Sequence, residues 1–304
     1  MLVERQQQYD LDGVIVRLAF DGHSDRGAVR KVNEDSFVAA PPVFLVADGM
    51  GGHLFGDRAS QAVAATFADT FATADPIRPA QIIDAIEQAN QAVLALTAGD
   101  EFLGSTSGTT LTGLALVATD ETGIAGWMAF NIGDSRTYSW DGRHLNQLSV
   151  DHSAVQELVD LGQITRREAD HHPDRNIVTR AIGADDDVDA DVWLLPVAGR
   201  QTFLLCSDGL TKELTDDEIS RIIVFHHSQQ TRATDAAPIG LAERLVNAAV
   251  AAGGADNVTV VVVESELISS TQRDASGDVT GDVNDETVDR DSMPHHLEET
   301  RPRG

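Results

Sequence analysis

The chain has 304 residues, enough for one large domain or two small ones, and 42% of them are hydrophobic, which is sufficient for a substantial core. Its formal net charge of −27 argues against the basic surface that non-specific nucleic-acid binding or an anionic membrane requires. A single cysteine, Cys206, excludes an internal disulfide framework, no apolar run reaches the roughly 18 residues of a bilayer span, and "MLVERQQQYD" lacks the apolar core of a signal peptide. The expectation is a soluble, cytoplasmic, monomeric protein with no nucleic-acid or membrane partner.

In chain order, the first dozen residues carry no clear period and read as a flexible N-terminus, 1–12. Strand signals follow at Val14–Phe20 and Ser36–Ala47. Two helical stretches come next as a consecutive pair. Gly56–Phe71 places Ala59, Val63, Phe67 and Phe71 on one stripe, and Pro79–Leu96 places Ile82, Ile86, Ala89, Val93 and Leu96 on another. Further strands are expected at Thr109–Val117, Ile124–Ile132, Arg136–Ser139, Asp191–Leu195, Thr202–Cys206 and Asn257–Glu264. Shorter helices are expected at Ala154–Leu161, Asp216–Val224 and Gly240–Ala252. Strands that bunch together, with the long helices adjacent in sequence, give an α+β pattern. The folded body is placed at 13–267. The segment 268–304, rich in Ser, Thr, Asp, Gly and Glu, reads as an acidic disordered tail.

One short stretch raises a chemical question. "VADGMGGH", Val46 to His53, ends an apolar strand with an aspartate followed by three glycines in four positions. A tight turn with a solvated Asp48 would explain it; so would a metal ligand on a turn that lets a backbone carbonyl approach the ion. The motif recurs in kind. Asp134 follows "FNIG", Asp208 follows "FLLCS", and Asp256 stands just before "NVTVVVVE". Four aspartates at strand ends converge if the strands are neighbours, and gathered carboxylates need cations between them. All-oxygen ligation suits Mg²⁺ or Mn²⁺ and fits zinc poorly. Upstream, "SDRGAVRKVNEDS" brings Arg30, Glu34 and Asp35 onto one stretch, and an arginine fork binds phosphate bidentately.

The blocks "SDRGAVRKVNED", "VADGMGGH", "GTTLTG", "NIGDSR", "DHS", "LLCSDGL" and "ADNVTV" occur in that order. Over about Val14 to Glu264 the chain resembles the metal-dependent protein phosphatases of type 2C (PPM), in their bacterial branch. The segment 158–183 resembles the mobile flap of bacterial members, and the flap as a whole is placed at about 153–183. The resemblance implies a four-layer sandwich of two central antiparallel β-sheets flanked by α-helices. It implies Mn²⁺ or Mg²⁺ as cofactor, with two core ions and a weaker third. Asp48 matches the ligand that bridges both core ions, and the Gly49 carbonyl matches a ligand of the first. Asp208 and Asp256 match ligands of the second, Asp134 with Asp208 matches the third site, and Glu34 and Asp35 match acidic positions that hold the ions largely through water. Arg30 matches the phosphate-binding arginine. The implied reaction is hydrolysis of phosphoserine and phosphothreonine on proteins, the substrates of a serine/threonine kinase, by a hydroxide bridging the two ions. A small-molecule phosphohydrolase and a catalytically silent binding module are the alternatives.

The remaining candidates read as structural. Cys206 lies in an apolar run and is a packing residue. The pairs His171–His172, His226–His227 and His295–His296 belong to surface or flap and lack zinc spacing. His152 has a structural role. Where eukaryotic relatives carry a histidine after the Asp-Gly pair, this chain has Met50, whose thioether has no proton to give.

Overall fold

The computed structural model describes residues 5–11, 13–51, 55–72, 77–97, 108–118, 125–230 and 239–270. His53, the pair His295–His296 and nearly all of the expected acidic tail lie outside the described residues. Twelve strands and seven helices are described. They run β1 (Arg5–Leu11), β2 (Val14–Asp25), β3 (Asp35–Ala40), β4 (Val43–Met50), α1 (Gly56–Thr70), α2 (Pro79–Thr97), β5 (Gly108–Thr109), β6 (Leu111–Ala118), β7 (Ala125–Ile132), β8 (Arg136–Trp140) and β9 (Leu145–Gln147). Then come α3 (Ala154–Asp160), α4 (Arg166–Ala169), β10 (Asp191–Pro196), β11 (Arg200–Cys206), α5 (Asp208–Glu213), α6 (Asp216–Gln230), α7 (Leu241–Ala252) and β12 (Val258–Ser270).

The strands form two sheets, ordered β1-β2-β12-β11-β8-β9 and β10-β7-β6-β4-β3, with β5 paired to β4. Every pairing in both is antiparallel. The strands are apolar on both faces because both faces are covered. In β4, Phe44 and Val46 point into the space between the sheets, where they meet Leu18 and Phe20 of β2, Trp127 of β7, Phe203 and Leu205 of β11, and Val261 and Val263 of β12. The alternate residues Val43, Leu45 and Ala47 face outward onto Ala59, Val63 and Phe67 of α1 and Ile82 and Ile86 of α2. On the other side, Leu204, Cys206, Val258, Val260 and Val262 pack under Ile219 and Ile223 of α6 and Leu245 and Val246 of α7. Strand period of two, applied to sheets buried on both faces, thus builds four layers. Of the two helical stripes expected from sequence, every position but Leu96 is buried.

Several details differ from the sequence expectation. The stretch Ser36–Ala47 is two strands, because Pro41 and Pro42 cannot donate to a ladder and turn the chain between β3 and β4. The first residues are not flexible throughout: Arg5–Leu11 pairs with β2 from Arg5↔Phe20 to Leu11↔Val14. Backbone pairing decides this strand. Over residues 6–11 its side chains are mostly polar, with Leu11 alone of these buried and Tyr9 packed against the core. β12 continues past Leu267 to Ser270, opposite the start of β2. His226, on α6, is buried and not a surface residue.

Burying Leu11 is worth roughly 1.5–3 kcal/mol, so deleting residues 1–11 should lower the thermal midpoint by a few degrees. An unchanged melting curve would show that β1 adds nothing to the fold.

Candidate metal centre

Antiparallel register brings the expected site residues to one end of the two sheets. Asp35 and Asp48 are direct cross-strand partners of β3 and β4. In the other sheet Cys206 lies opposite Val260, so Asp208, two residues beyond the end of β11, reaches the start of β12 and Asp256. Asp134 lies between β7 and β8 and is nearly buried. Two glycines allow the approach. A side chain on Gly49 would collide with the backbone carbonyls of Gly56 and Glu34, and one on Gly209 would collide with the Asn257 carbonyl. The Asp-Gly pairs of the sequence are therefore demanded by space, with the chain turning away at Gly51 (φ 137°).

Asp35 ties the sheets together. Its Oδ2 accepts hydrogen bonds from Ser207 Oγ at 2.8 Å and Thr259 Oγ1 at 2.7 Å, both from the opposite sheet. Glu34 is held by its backbone. Its N–H donates to Asn257 Oδ1 at 2.9 Å, and its carbonyl accepts from Gly49 N–H at 3.2 Å and Ser60 Oγ at 2.5 Å. Asn257 Nδ2 donates to the carbonyls of Arg26 and Val32 at 3.0 and 2.9 Å, fixing the loop that carries Arg30. Arg30 lies against Asp256 as a fork, Nε to Oδ1 and Nη2 to Oδ2, each at 2.8 Å. Asp134 is set by its neighbours: Gly133 N–H donates to His152 Nδ1 at 3.0 Å, and His152 N–H donates to the Gly133 carbonyl at 2.9 Å. That places the His152 proton on Nε2, which points to Asp191 Oδ2 at 3.3 Å. Asp151 of "DHS" is likewise a brace, clamping Arg136 through bonds of 2.9 and 2.7 Å.

The electrostatics are those of crowded carboxylates. Burial raises Asp48 well above the ordinary carboxylate range, reinforced by Asp35, Asp208, Asp134 and Asp256. Burial, with Asp208 and Asp256 nearby, pushes Asp35 up to about 7 despite its two hydroxyl donors. Burial and Asp208 push Asp134 up to about 7. Asp256 differs: burial would raise it, but Lys212 and Arg30 hold it below the ordinary value. Asp35 Oδ1 and Asp208 Oδ1 are buried with no hydrogen-bond partner among the described residues. Orphaned carboxylate oxygens amid like charge, all of them hard donors, fit a divalent cation. Among the described residues no three His, Cys, Asp or Glu side chains stand close enough together to hold a metal ion as they are placed. Two side-chain cations instead lie against Asp256.

Sequence reasoning missed one of those cations. Lys212 contacts Asp208 Oδ2 and lies 3.0 Å from Asp256 Oδ2. Its place four residues after Asp208 on α5 was a readable signal, but α5 itself was not expected. Burial would lower Lys212, yet Asp208 and Asp256 more than offset it and keep it firmly charged. Asn257, Ser207 and Thr259 were also missed, since nothing in a lone hydroxyl or amide marks its partner. Cys206 is fully buried and its thiol is pushed up to about 12 by burial, as a packing residue should be.

A family model described as Protein phosphatase 2C matches residues 22–248. The serine/threonine phosphatase stp of Listeria welshimeri is 35% identical over 263 residues, covering 83% of this chain and 98% of that one. Protein phosphatase PhpP of Streptococcus pneumoniae is 34% identical over 262 residues, covering 83% of this chain and 97% of its own. Among solved structures, the Mycobacterium tuberculosis serine/threonine phosphatase PstP/Ppp aligns with a TM-score of 0.68 at 35% identity, over 82% of this chain and 98% of that one. A PstP catalytic domain in complex with 2 manganese ions aligns with a TM-score of 0.69 at 32% identity, over 83% and 99% of the two chains. The double sandwich, the acidic cluster at its end and these likenesses agree: the chain belongs to the protein phosphatase 2C family.

Proposed function

We propose that the chain hydrolyses phosphoserine and phosphothreonine on proteins phosphorylated by a serine/threonine kinase, in the cytoplasm, using two divalent ions, Mn²⁺ or Mg²⁺. The observation that supports this most directly is the cluster of Asp35, Asp48, Asp134, Asp208 and Asp256. Burial and neighbouring carboxylates push Asp35, Asp48 and Asp134 toward their neutral forms, and the donors of the cluster are all oxygen. Among the described residues no helix is long and apolar enough to cross a membrane.

Asp48 would bridge the two core ions, with the Gly49 carbonyl on the first and Asp208 and Asp256 on the second. Glu34 and Asp35 would hold the ions through water, and Asp134 with Asp208 would take the weaker third. When bound, such ions acidify a water for attack on phosphorus and neutralise phosphoryl oxygens. The chain's own residues do the rest. Ser207 and Thr259 orient Asp35 so that its second oxygen faces the cluster. Arg30 presents a guanidinium on a half-exposed side chain and would exchange Asp256 for the substrate phosphate, a like-for-like trade of one oxyanion for another. Met50 cannot protonate the departing oxygen. The flap at 153–183 holds α3 and α4 and is pinned at both ends by the bridges Ser153↔Val178 and Thr109↔Ile182. It would set which proteins reach the site.

Asp48→Asn should abolish phosphate release from a phosphothreonine peptide and weaken Mn²⁺ binding in calorimetry. Undiminished binding of two ions would remove Asp48 from the site.

The raised carboxylates also give a pH signature. Asp35 and Asp134 stay neutral up to about 7 in the metal-free folded state but ionise near 4 when unfolded. Between those values the folded state binds more protons, so its stability falls as pH rises. In EDTA the melting temperature should therefore drop from about pH 4 to about pH 7, and Asp134→Asn should flatten that slope. A slope identical in the variant would show that Asp134 is not so perturbed.

Without a general acid, typically worth ~10²–10⁴-fold, rate should depend steeply on leaving-group pKa. Aryl phosphates should outrun alkyl phosphates of similar size. A flat leaving-group plot would reveal an acid that Met50 does not provide.

A further inference from the structure

Lys212 stands where the cluster most needs positive charge. Its ammonium contacts Asp208 Oδ2 and lies 3.0 Å from Asp256 Oδ2, joining the end of β11 to the loop before β12. The geometry is built. α5 begins at Asp208, so Lys212 lies one turn on and on the same face. The next residue, Glu213, accepts the Ala255 N–H at 2.8 Å and latches α5 to the loop that carries Asp256. The helix turn and this latch therefore place Lys212 within reach of both carboxylates. Its side chain is 35% exposed, which leaves the stem a route to solvent.

These are the two aspartates assigned above to the second ion. A divalent cation and an ammonium cannot share the same pair of oxygens, because like charges a few ångströms apart repel strongly in a half-buried site. We propose that Lys212 is a tethered cation that competes with a divalent ion for Asp208 and Asp256, holding the carboxylates together without metal and weakening the site for it. The inference rests on the metal reading of those aspartates. On loading, the ammonium swings out along its exposed side. The affinity of one ion is thereby set by a residue that ligates nothing.

The test titrates MnCl₂ into the EDTA-stripped and dialysed full chain by calorimetry, and measures melting in EDTA and in excess Mn²⁺. Lys212→Met should tighten one Mn²⁺ dissociation constant by about tenfold. It should also lower the melting temperature in EDTA while leaving it unchanged in excess Mn²⁺, so the metal-induced shift widens. Lys212→Arg, which keeps the charge, should behave like the wild type. Wild-type protein that binds two ions alongside Lys212→Met with equal or weaker affinity overturns this inference alone. Lys212→Arg matching Lys212→Met also overturns it, since packing and not charge would then matter. Wild-type protein that binds no Mn²⁺ overturns the metal reading itself, and this inference with it.

Discussion

Repulsion between carboxylates is the constraint around which this molecule is arranged. Five aspartates, on β3, β4, the β7–β8 connection, α5 and the loop before β12, share one end of the sandwich. Burial and mutual charge drive Asp35, Asp48 and Asp134 toward their neutral forms. A cluster of this kind is tolerated only when cations meet it or when the surrounding fold is strong enough to hold it. The protein uses both means. Lys212 and Arg30 supply charge from the chain itself, and four packed layers supply the stability.

The sandwich holds the cluster by cross-sheet hydrogen bonds, which explains why the two sheets must keep their register. Asp35 belongs to one sheet, and its carboxylate takes both of its hydrogen bonds from residues of β12 and the end of β11 in the other. Ser24 Oγ meets Thr259 Oγ1 at 2.7 Å, and Thr259 N–H donates to Ser207 Oγ at 3.0 Å, so the hydroxyls form a connected seam. A slip of one residue in β12 would turn Thr259 away and bring a valine to Asp35. Packing between the sheets, where Trp127 and Phe203 rings lie 5.3 Å apart, therefore has a direct consequence for the chemistry at their end.

The cations that border the cluster differ in reach. Arg30 sits on a loop whose shape Asn257 fixes, and its fork can exchange one oxyanion for another. Lys212 sits on a helix and is held to two particular aspartates by the turn of that helix. The proposed roles, substrate binding for Arg30 and tuning of the site for Lys212, follow this difference in reach. Neither distinction can be made from residue type alone.

The sequence by itself was enough for the α+β pattern and for singling out the aspartates that the fold gathers at one end of the sheets. Apolar period in the two long helices and in the strands is a local property, and it survives into the fold. Asp-Gly pairs after apolar runs marked Asp48 and Asp208 because a buried strand end needs a reason for a carboxylate. Local reading failed where the backbone of another strand decided. Arg5–Leu11 looks unstructured, yet β2 offers an edge on which polar residues can pair. Ser36–Ala47 looks continuous, yet two prolines break it. The site's finer wiring, from Lys212 on Asp256 to Asn257 on the Arg30 loop and the hydroxyls of Ser207 and Thr259 on Asp35, joins residues up to 231 positions apart. Only tertiary structure decides such contacts, because which lysine or serine meets which carboxylate depends on sheet register and loop closure, and neither leaves a trace in local composition.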